Sequence, residues 1–191
     1  MFIKGSITAL VTPMNEKGDL DYDSLEKLIN HQINSGISGL VAVGTTGESA
    51  TIDFKDHIKL IEFFVKVNKG RVHIIAGTGA NSTEEALHLT KEAKSAGADA
   101  ALLVSPYYNK PPQEGIYYHH MKIADEVDIP QILYNVPSRT ASFIEPETVL
   151  RLSSHKNIIG IKDATGDMKN HFEVLKLCKE EIENKNFLLY S

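Results

Sequence analysis

The chain has no tryptophan and a single cysteine, Cys178, among its 191 residues. One thiol cannot close an internal disulfide, and a chain so poor in cysteine suits a reducing, cytoplasmic setting. Long apolar runs are missing as well. The N-terminal stretch "MFIKGSITALVTPMNEKGD" carries an apolar segment ended by Pro13, too short to cross a bilayer. Its basic start and small-residue cleavage site are too poorly formed for a signal peptide. An excess of positive charge is also absent: a formal net charge of -5 gives no general attraction to nucleic acid or to an anionic membrane. No linker rich in proline, glycine or serine interrupts the sequence, so residues 1–191 are expected to form a single domain.

What is present is the composition of a globular protein, 42% hydrophobic and 24% charged, which excludes disorder and a coiled coil. Short apolar runs alternate with longer amphipathic ones. The expected strands are Gly5–Pro13, Gly39–Gly44, Val72–Gly79, Ala101–Pro106, Gln131–Pro137, Ile158–Ala164 and Phe187–Ser191. The segments between them repeat apolar residues at helical spacing, as in Leu25, Leu28, Ile29 and Ile33. Ser82 stands three residues before Glu85 in a capping-box spacing, and Gly36 and Gly97 fall where helices should stop.

Strand and helix alternate throughout, which calls for a parallel sheet covered by helices. Polar and aromatic residues follow the C-terminal end of nearly every strand. A doubly wound sheet gathers its site at one crevice, whereas a (β/α)8 TIM barrel draws it from many strand ends, so the α/β barrel fits better. Only seven strands can be found, and the chain stops after "FLLYS". The expectation is a barrel cut off after the seventh strand and incomplete at the C-terminus.

Four strand ends carry residues suited to chemistry. "VGTTGES" offers Thr45 and Thr46 at a strand-to-helix turn, where backbone N–H groups and hydroxyls make a carboxylate or phosphate pocket or simply cap a helix. It lacks the spacing of a Walker loop, and "GTGANS" is not the dinucleotide fingerprint. "SPYYNKPPQEG" places Tyr107 and Tyr108 before a proline-rich loop, as proton carriers or as interface aromatics. "YNVPSRT" adds Tyr134 and Arg139, the latter a clamp for a carboxylate or a surface ion pair. "NIIGIKDATG" ends an apolar run on Lys162, an ammonium at a solvent-facing strand end or an amine kept partly neutral as a nucleophile. Strict alternation along that strand puts Ile158, Gly160 and Lys162 toward the barrel axis and Ile159 and Ile161 toward the helices. The eight histidines show no metal-ligand spacing, and no second cysteine exists for a zinc site. Phenols, hydroxyls and one arginine around a lysine suit Schiff-base chemistry on a small oxo acid, without cofactor or metal.

Together "GTTGES", "SPYYNKPPQEG", "YNVPSRT" and "GIKDATG" resemble the dihydrodipicolinate synthase family of the pyruvate-dependent class I aldolases, along the whole chain. The resemblance implies a lyase that condenses pyruvate with L-aspartate 4-semialdehyde on the diaminopimelate route to lysine. It implies Lys162 as the Schiff-base lysine and Thr45, Tyr134 and Tyr108 as a proton relay, Tyr108 reaching in from a neighbouring subunit. Thr46 would hold the pyruvate carboxylate, and Arg139 would receive the semialdehyde carboxylate and support Tyr134. A homotetramer built as a dimer of dimers is implied for full-length members. Ser49, Ala50, His57, Asn81, Glu85 and Tyr107 match an allosteric L-lysine pocket, although Phe54 stands where inhibited members carry histidine. Ala141 replaces a usual glycine, which matters if that loop needs a positive φ. Sister families that cleave N-acetylneuraminate or 2-keto-3-deoxy sugar acids use the same lysine, and an inactive fragment is the remaining alternative.

Overall fold

In the computed structural model, residues 3–191 are described; the first two residues of the N-terminal stretch considered above, Met1 and Phe2, lie outside them. The chain forms two compact units, one of residues 3–77 and 92–100 and the other of residues 78–91 and 101–191.

The first unit holds β1 (Ile7–Ala9), α1 (Tyr22–Asn34), β2 (Gly39–Ala42), α2 (Phe54–Asn68) and β3 (His73–Gly77). β2 pairs in parallel with β1 and with β3, its centre pairing Leu40 with Thr8 and with Ile74. β2 is buried at all four positions, as a central parallel strand covered on both faces must be. Leu25 and Ile29 of α1 and Leu60, Ile61 and Phe64 of α2 pack with Leu40, Ala42 and Ile74 into one core. Each such aliphatic side chain removed from water contributes about 1.5–3 kcal/mol. Asp21 caps α1 by accepting from the Ser24 N–H at 3.0 Å, and Asp53 caps α2 through the Asp56 N–H at 2.9 Å.

α3 (Thr83–Ala96) runs from the second unit into the first. The second unit continues with β4 (Ala100–Val104), α4 (Gln113–Glu126), β5 (Gln131–Asn135), α5 (Pro137–Thr140), α6 (Pro146–Ser153), β6 (Ile158–Asp163), α7 (Met168–Leu177), α8 (Lys179–Glu183) and β7 (Leu188–Tyr190). β4 pairs β5, β5 pairs β6 and β6 pairs β7, all in parallel. All seven expected strands form, each ending earlier than expected, while β4 begins one residue sooner, at Ala100. Gly36 and Gly97 take φ of +82° and +92° at their helix ends, and the Ser82 cap of Glu85 is a long 3.4 Å bond. Two details differ from expectation. The helix expected through Cys178 is broken there into α7 and α8, and "PSRT" coils into the short α5, for which the preset φ of Pro137 is suited.

The third difference concerns β6. Ile158 partners Gln131 while Gly160 partners Ile132, so Ile159 is an extra residue at a bulge. The bulge shifts the phase of the strand by one, and Ile158 joins Ile161 in the core with Val149, Leu152 and Val174 of the helices. Strict alternation had assigned Ile158 to the opposite face together with Gly160 and Lys162. The assignment of Lys162 itself is unaffected, because the strand alternates regularly from Gly160 onward.

Adjacent on α4, His119 and His120 stand edge to face with centroids 5.0 Å apart. Both are buried, and neither nitrogen of His120 has a partner among the described residues. Burial holds His119 down to about 4 and His120 well below the usual histidine value. An imidazole with a depressed folded-state pKa takes its proton in the unfolded chain first, so stability is full above about pH 6.5 and falls as pH drops. For His119 the expected loss is roughly 1.4 kcal/mol per pH unit between 6.5 and 4. Urea unfolding at pH 7.0 and 5.5 measures it, and His119→Gln should flatten the dependence.

Candidate active site

The C-terminal ends of β5, β6 and β7 align side by side: Tyr134 pairs with Lys162, and Lys162 with Tyr190. Register partners in a parallel sheet point to the same face, so the lysine stands between two tyrosines. The Lys162 Nζ lies 4.6 Å from the centroid of the Tyr134 ring. No carboxylate pairs with this amine among the described residues. The ring face favours the ammonium by about 0.5–2 kcal/mol, but loss of water dominates, and burial lowers the lysine below its usual value. A larger share of neutral amine results, which is the form that attacks a carbonyl.

Asp163, next along the strand, holds the strand end. Its Oδ1 accepts from the Thr165 N–H at 3.0 Å, and its Oδ2 faces His171 Nδ1 at 3.3 Å. The Ala164 N–H donates to the Asn135 carbonyl at 2.9 Å. The Asn135 side chain clamps Ile144 in both directions, donating to its carbonyl at 3.0 Å and accepting its N–H at 3.1 Å. These bonds bracket the loop that carries α5.

That loop and the Tyr108 loop are bonded to each other. The Tyr108 N–H donates to the Thr140 carbonyl at 3.3 Å. Ser142 Oγ donates to the Pro106 carbonyl at 2.8 Å and lies 3.2 Å from Ser105 Oγ. With its only proton committed, Ser142 Oγ accepts from Ser105. Thr140 Oγ1 donates to the Ser142 carbonyl at 2.8 Å. Ser105, Thr140 and Ser142 are all buried, where a broken bond costs more than at the surface.

On this framework Tyr108 is 89% exposed at φ +72°, a left-handed backbone rarely taken by a large side chain. Arg139 is exposed at the end of α5 and has no side-chain partner among the described residues. Tyr134 is buried, and its hydroxyl bonds to nothing among the described residues. The implied Arg139–Tyr134 support is therefore not formed.

Thr45 and Thr46 belong to the first unit, in a 3-10 turn of residues Thr45–Gly47 directly after β2. Both are exposed, and Gly47 is buried. Thr12 Oγ1 donates to the Gly47 carbonyl at 2.7 Å, and a Cβ at Gly47 would press on Leu10 O and Thr12 Oγ1 at 3.1 Å. Val43 precedes the turn, fully buried at φ +52°, a strained state for a β-branched residue. The residues matched to a lysine pocket fall in two places. In the first unit Ser49 and Ala50 lie in a second 3-10 turn, and His57 is buried with Nε2 donating to the Gly77 carbonyl at 2.7 Å. In the second unit Asn81, Glu85 and Tyr107 meet: burial pushes the Tyr107 phenol up, as does the Glu85 charge, while the Asn81 backbone pulls it down.

A surface cavity of about 670 Å³ in the first unit is lined by Asp19, Glu48, Asp53, Asp56 and Lys59, among others. It contains none of the site residues. Among the described residues no three His, Cys, Asp or Glu side chains are grouped to hold a metal ion, and no helix is long and apolar enough to cross a membrane. Sequence reasoning missed Tyr190, Asn135, Ser105 and Ser142. Tyr190 was legible only as the partner of Lys162 once the register was known.

A lysine drawn out of water at a strand end, beside a phenol and in a parallel strand–helix array, is an arrangement suited to imine chemistry on a carbonyl. The chain belongs to the dihydrodipicolinate synthetase family, whose model matches residues 2–191. A curated 4-hydroxy-tetrahydrodipicolinate synthase of Alcanivorax borkumensis is 55% identical over 189 residues, 99% of this chain and 63% of that protein. The chloride-inhibited dihydrodipicolinate synthase of Acinetobacter baumannii, solved with pyruvate, is 50% identical with a TM-score of 0.93 and covers 99% of this chain and 63% of its own. The enzyme of Cyanidioschyzon merolae, solved with lysine bound, is 38% identical with a TM-score of 0.93 and covers 100% of this chain and 63% of its own. The chain thus spans under two thirds of the length of these relatives. Its fold class is the (β/α)8 TIM barrel, of which the described residues form seven strands.

Ala141 follows α5 at φ +53°, so the loop does use the left-handed conformation that glycine takes freely. Ala141→Gly should stabilise the protein by about 0.5–1 kcal/mol, the relief of strain exceeding the added unfolded-state entropy. Urea unfolding should show a higher midpoint with an unchanged slope.

Proposed function

We propose that this protein is a 4-hydroxy-tetrahydrodipicolinate synthase, a lyase joining pyruvate to L-aspartate 4-semialdehyde on the diaminopimelate route to lysine. The observation that carries the reading is the Lys162 amine, lowered by burial and 4.6 Å from the Tyr134 ring. In this reading residues 1–191 belong to one catalytic domain working in the cytoplasm. Neutral Lys162 attacks the pyruvate keto carbon, and water leaves as the imine forms. The imine draws electrons from the methyl carbon, whose proton is lost to give an enamine. The enamine adds to the aldehyde, and the semialdehyde amine then attacks the imine carbon, closing the ring and releasing Lys162.

Tyr134, Thr45 and Tyr108 move the protons that these steps require, and Thr46 holds the pyruvate carboxylate through its hydroxyl and backbone N–H. The free guanidinium of Arg139 receives the semialdehyde carboxylate. Tyr108 acts in a neighbouring subunit, a role supported by its exposure and fixed left-handed backbone. The assembly is a homotetramer, a dimer of dimers, and L-lysine binds at Ser49, Ala50, His57, Asn81, Glu85 and Tyr107. Lysine bound to the Cyanidioschyzon merolae enzyme supports that last assignment.

Incubation with pyruvate, reduction with borohydride and peptide mass analysis should place one adduct on Lys162. Lys162→Met should abolish it, and Tyr134→Phe should slow its formation about 100-fold or more. The trapping rate should rise with pH as the amine loses its proton, with a midpoint below the 10.5 of an ordinary lysine. An adduct on another lysine, or none from a folded sample, would reject the assignment. Replacing pyruvate by sugar acids should release no pyruvate.

A further inference from the structure

Gly160 lies two residues before Lys162 on the same face of β6. A Cβ at Gly160 would come within 2.5 Å of the Leu188 carbonyl and 2.9 Å of Cε2 of the Tyr190 ring. The space a side chain would take at residue 160 is therefore filled from β7, partly by the Tyr190 ring. Tyr190 is also the register partner of Lys162 on the side of β6 away from Tyr134.

We infer that Tyr190 is a positioning residue for Lys162: its ring, seated over Gly160 on the lysine's face, walls the amine from water on the side opposite Tyr134. Two tyrosines thus bracket one amine, and the glycine at 160 is what lets the second ring approach. Burial pushes the Tyr190 phenol up to about 12, so the group stays neutral and brings no charge to the amine. The role differs from that proposed for Tyr134, since the Tyr190 ring acts by excluding water and not by passing a proton. It deepens the imine reading given above and rests on Lys162 being the reactive amine.

The test separates the two ideas by titrating Lys162 without substrate. Competitive acetylation of the folded protein across pH, read on the Lys162 peptide, gives the midpoint of the amine. Tyr190→Ala should move that midpoint toward the usual lysine value. A rise of one pH unit in the midpoint lowers the neutral amine at pH 7, and with it the pyruvate-trapping rate, about tenfold. Tyr190→Phe, which keeps the ring, should restore most of the unsubstituted profile. If Tyr190→Ala does not fold, Tyr190→Leu keeps the bulk and should give an intermediate midpoint. A midpoint unmoved in folded Tyr190→Ala or Tyr190→Leu overturns the inference, and so does a Tyr190→Phe change as large as that of Tyr190→Ala. A ring that merely fills space would lower the unfolding midpoint and leave the acetylation profile in place. Should the unsubstituted chain trap no pyruvate while the acetylation midpoint still moves on substitution, the imine reading fails and the positioning role stands.

Discussion

A charged amine drawn partly out of water is the constraint around which the second unit is organised. Water solvates an ammonium far better than protein does, and no carboxylate among the described residues pairs with Lys162 to offset the loss. Burial therefore shifts the proton balance toward the neutral amine relative to an exposed lysine. Everything nearby is consistent with holding that balance rather than relieving it. The neighbouring strands contribute tyrosines, which add bulk and an aromatic face without adding charge, and Asp163, the nearest acid in sequence, is committed to Thr165 and His171.

The loops beyond the strand ends are held by bonds between one another rather than by regular structure. Ser105, Thr140 and Ser142 join the Tyr108 loop to the α5 loop, and Asn135 pins the latter at Ile144. Short buried hydroxyls at such positions give direction at little cost in conformational entropy. The left-handed residues Val43 and Tyr108 lie in segments past a strand, and Ala141 lies just past α5, where backbone strain accompanies functional geometry.

Much of this was legible in the sequence. Continuous apolar runs such as "GLVAVG" and "IIGIKDA" mark central parallel strands because both of their faces are covered, and the helical spacing in α1 and α2 is unambiguous. Lys162 stood out because an ammonium ends an apolar run. The break at Cys178 was not legible, since "HFEVLKLCKEEIENK" keeps its apolar spacing through the point where the helix stops. Nor was the bulge at Ile159: three isoleucines around a glycine satisfy either phase, and only pairing with Gln131 and Ile132 decides which applies. Tyr190 was hidden for a related reason. Its meaning lies in a lateral neighbour 28 positions earlier in the chain, and a lateral neighbour leaves no periodic trace.

The bulge at Ile159 carries a consequence for how such a strand can change over time. It divides β6 into a half that answers to the helices and a half that aims the lysine, and the phase of one no longer dictates the phase of the other. Packing around Ile158 is thereby free to drift, and a single-residue insertion or deletion upstream can be absorbed at the kink. The strand has in effect a mechanical clutch, which lets a lineage rebuild its scaffold without re-aiming its nucleophile.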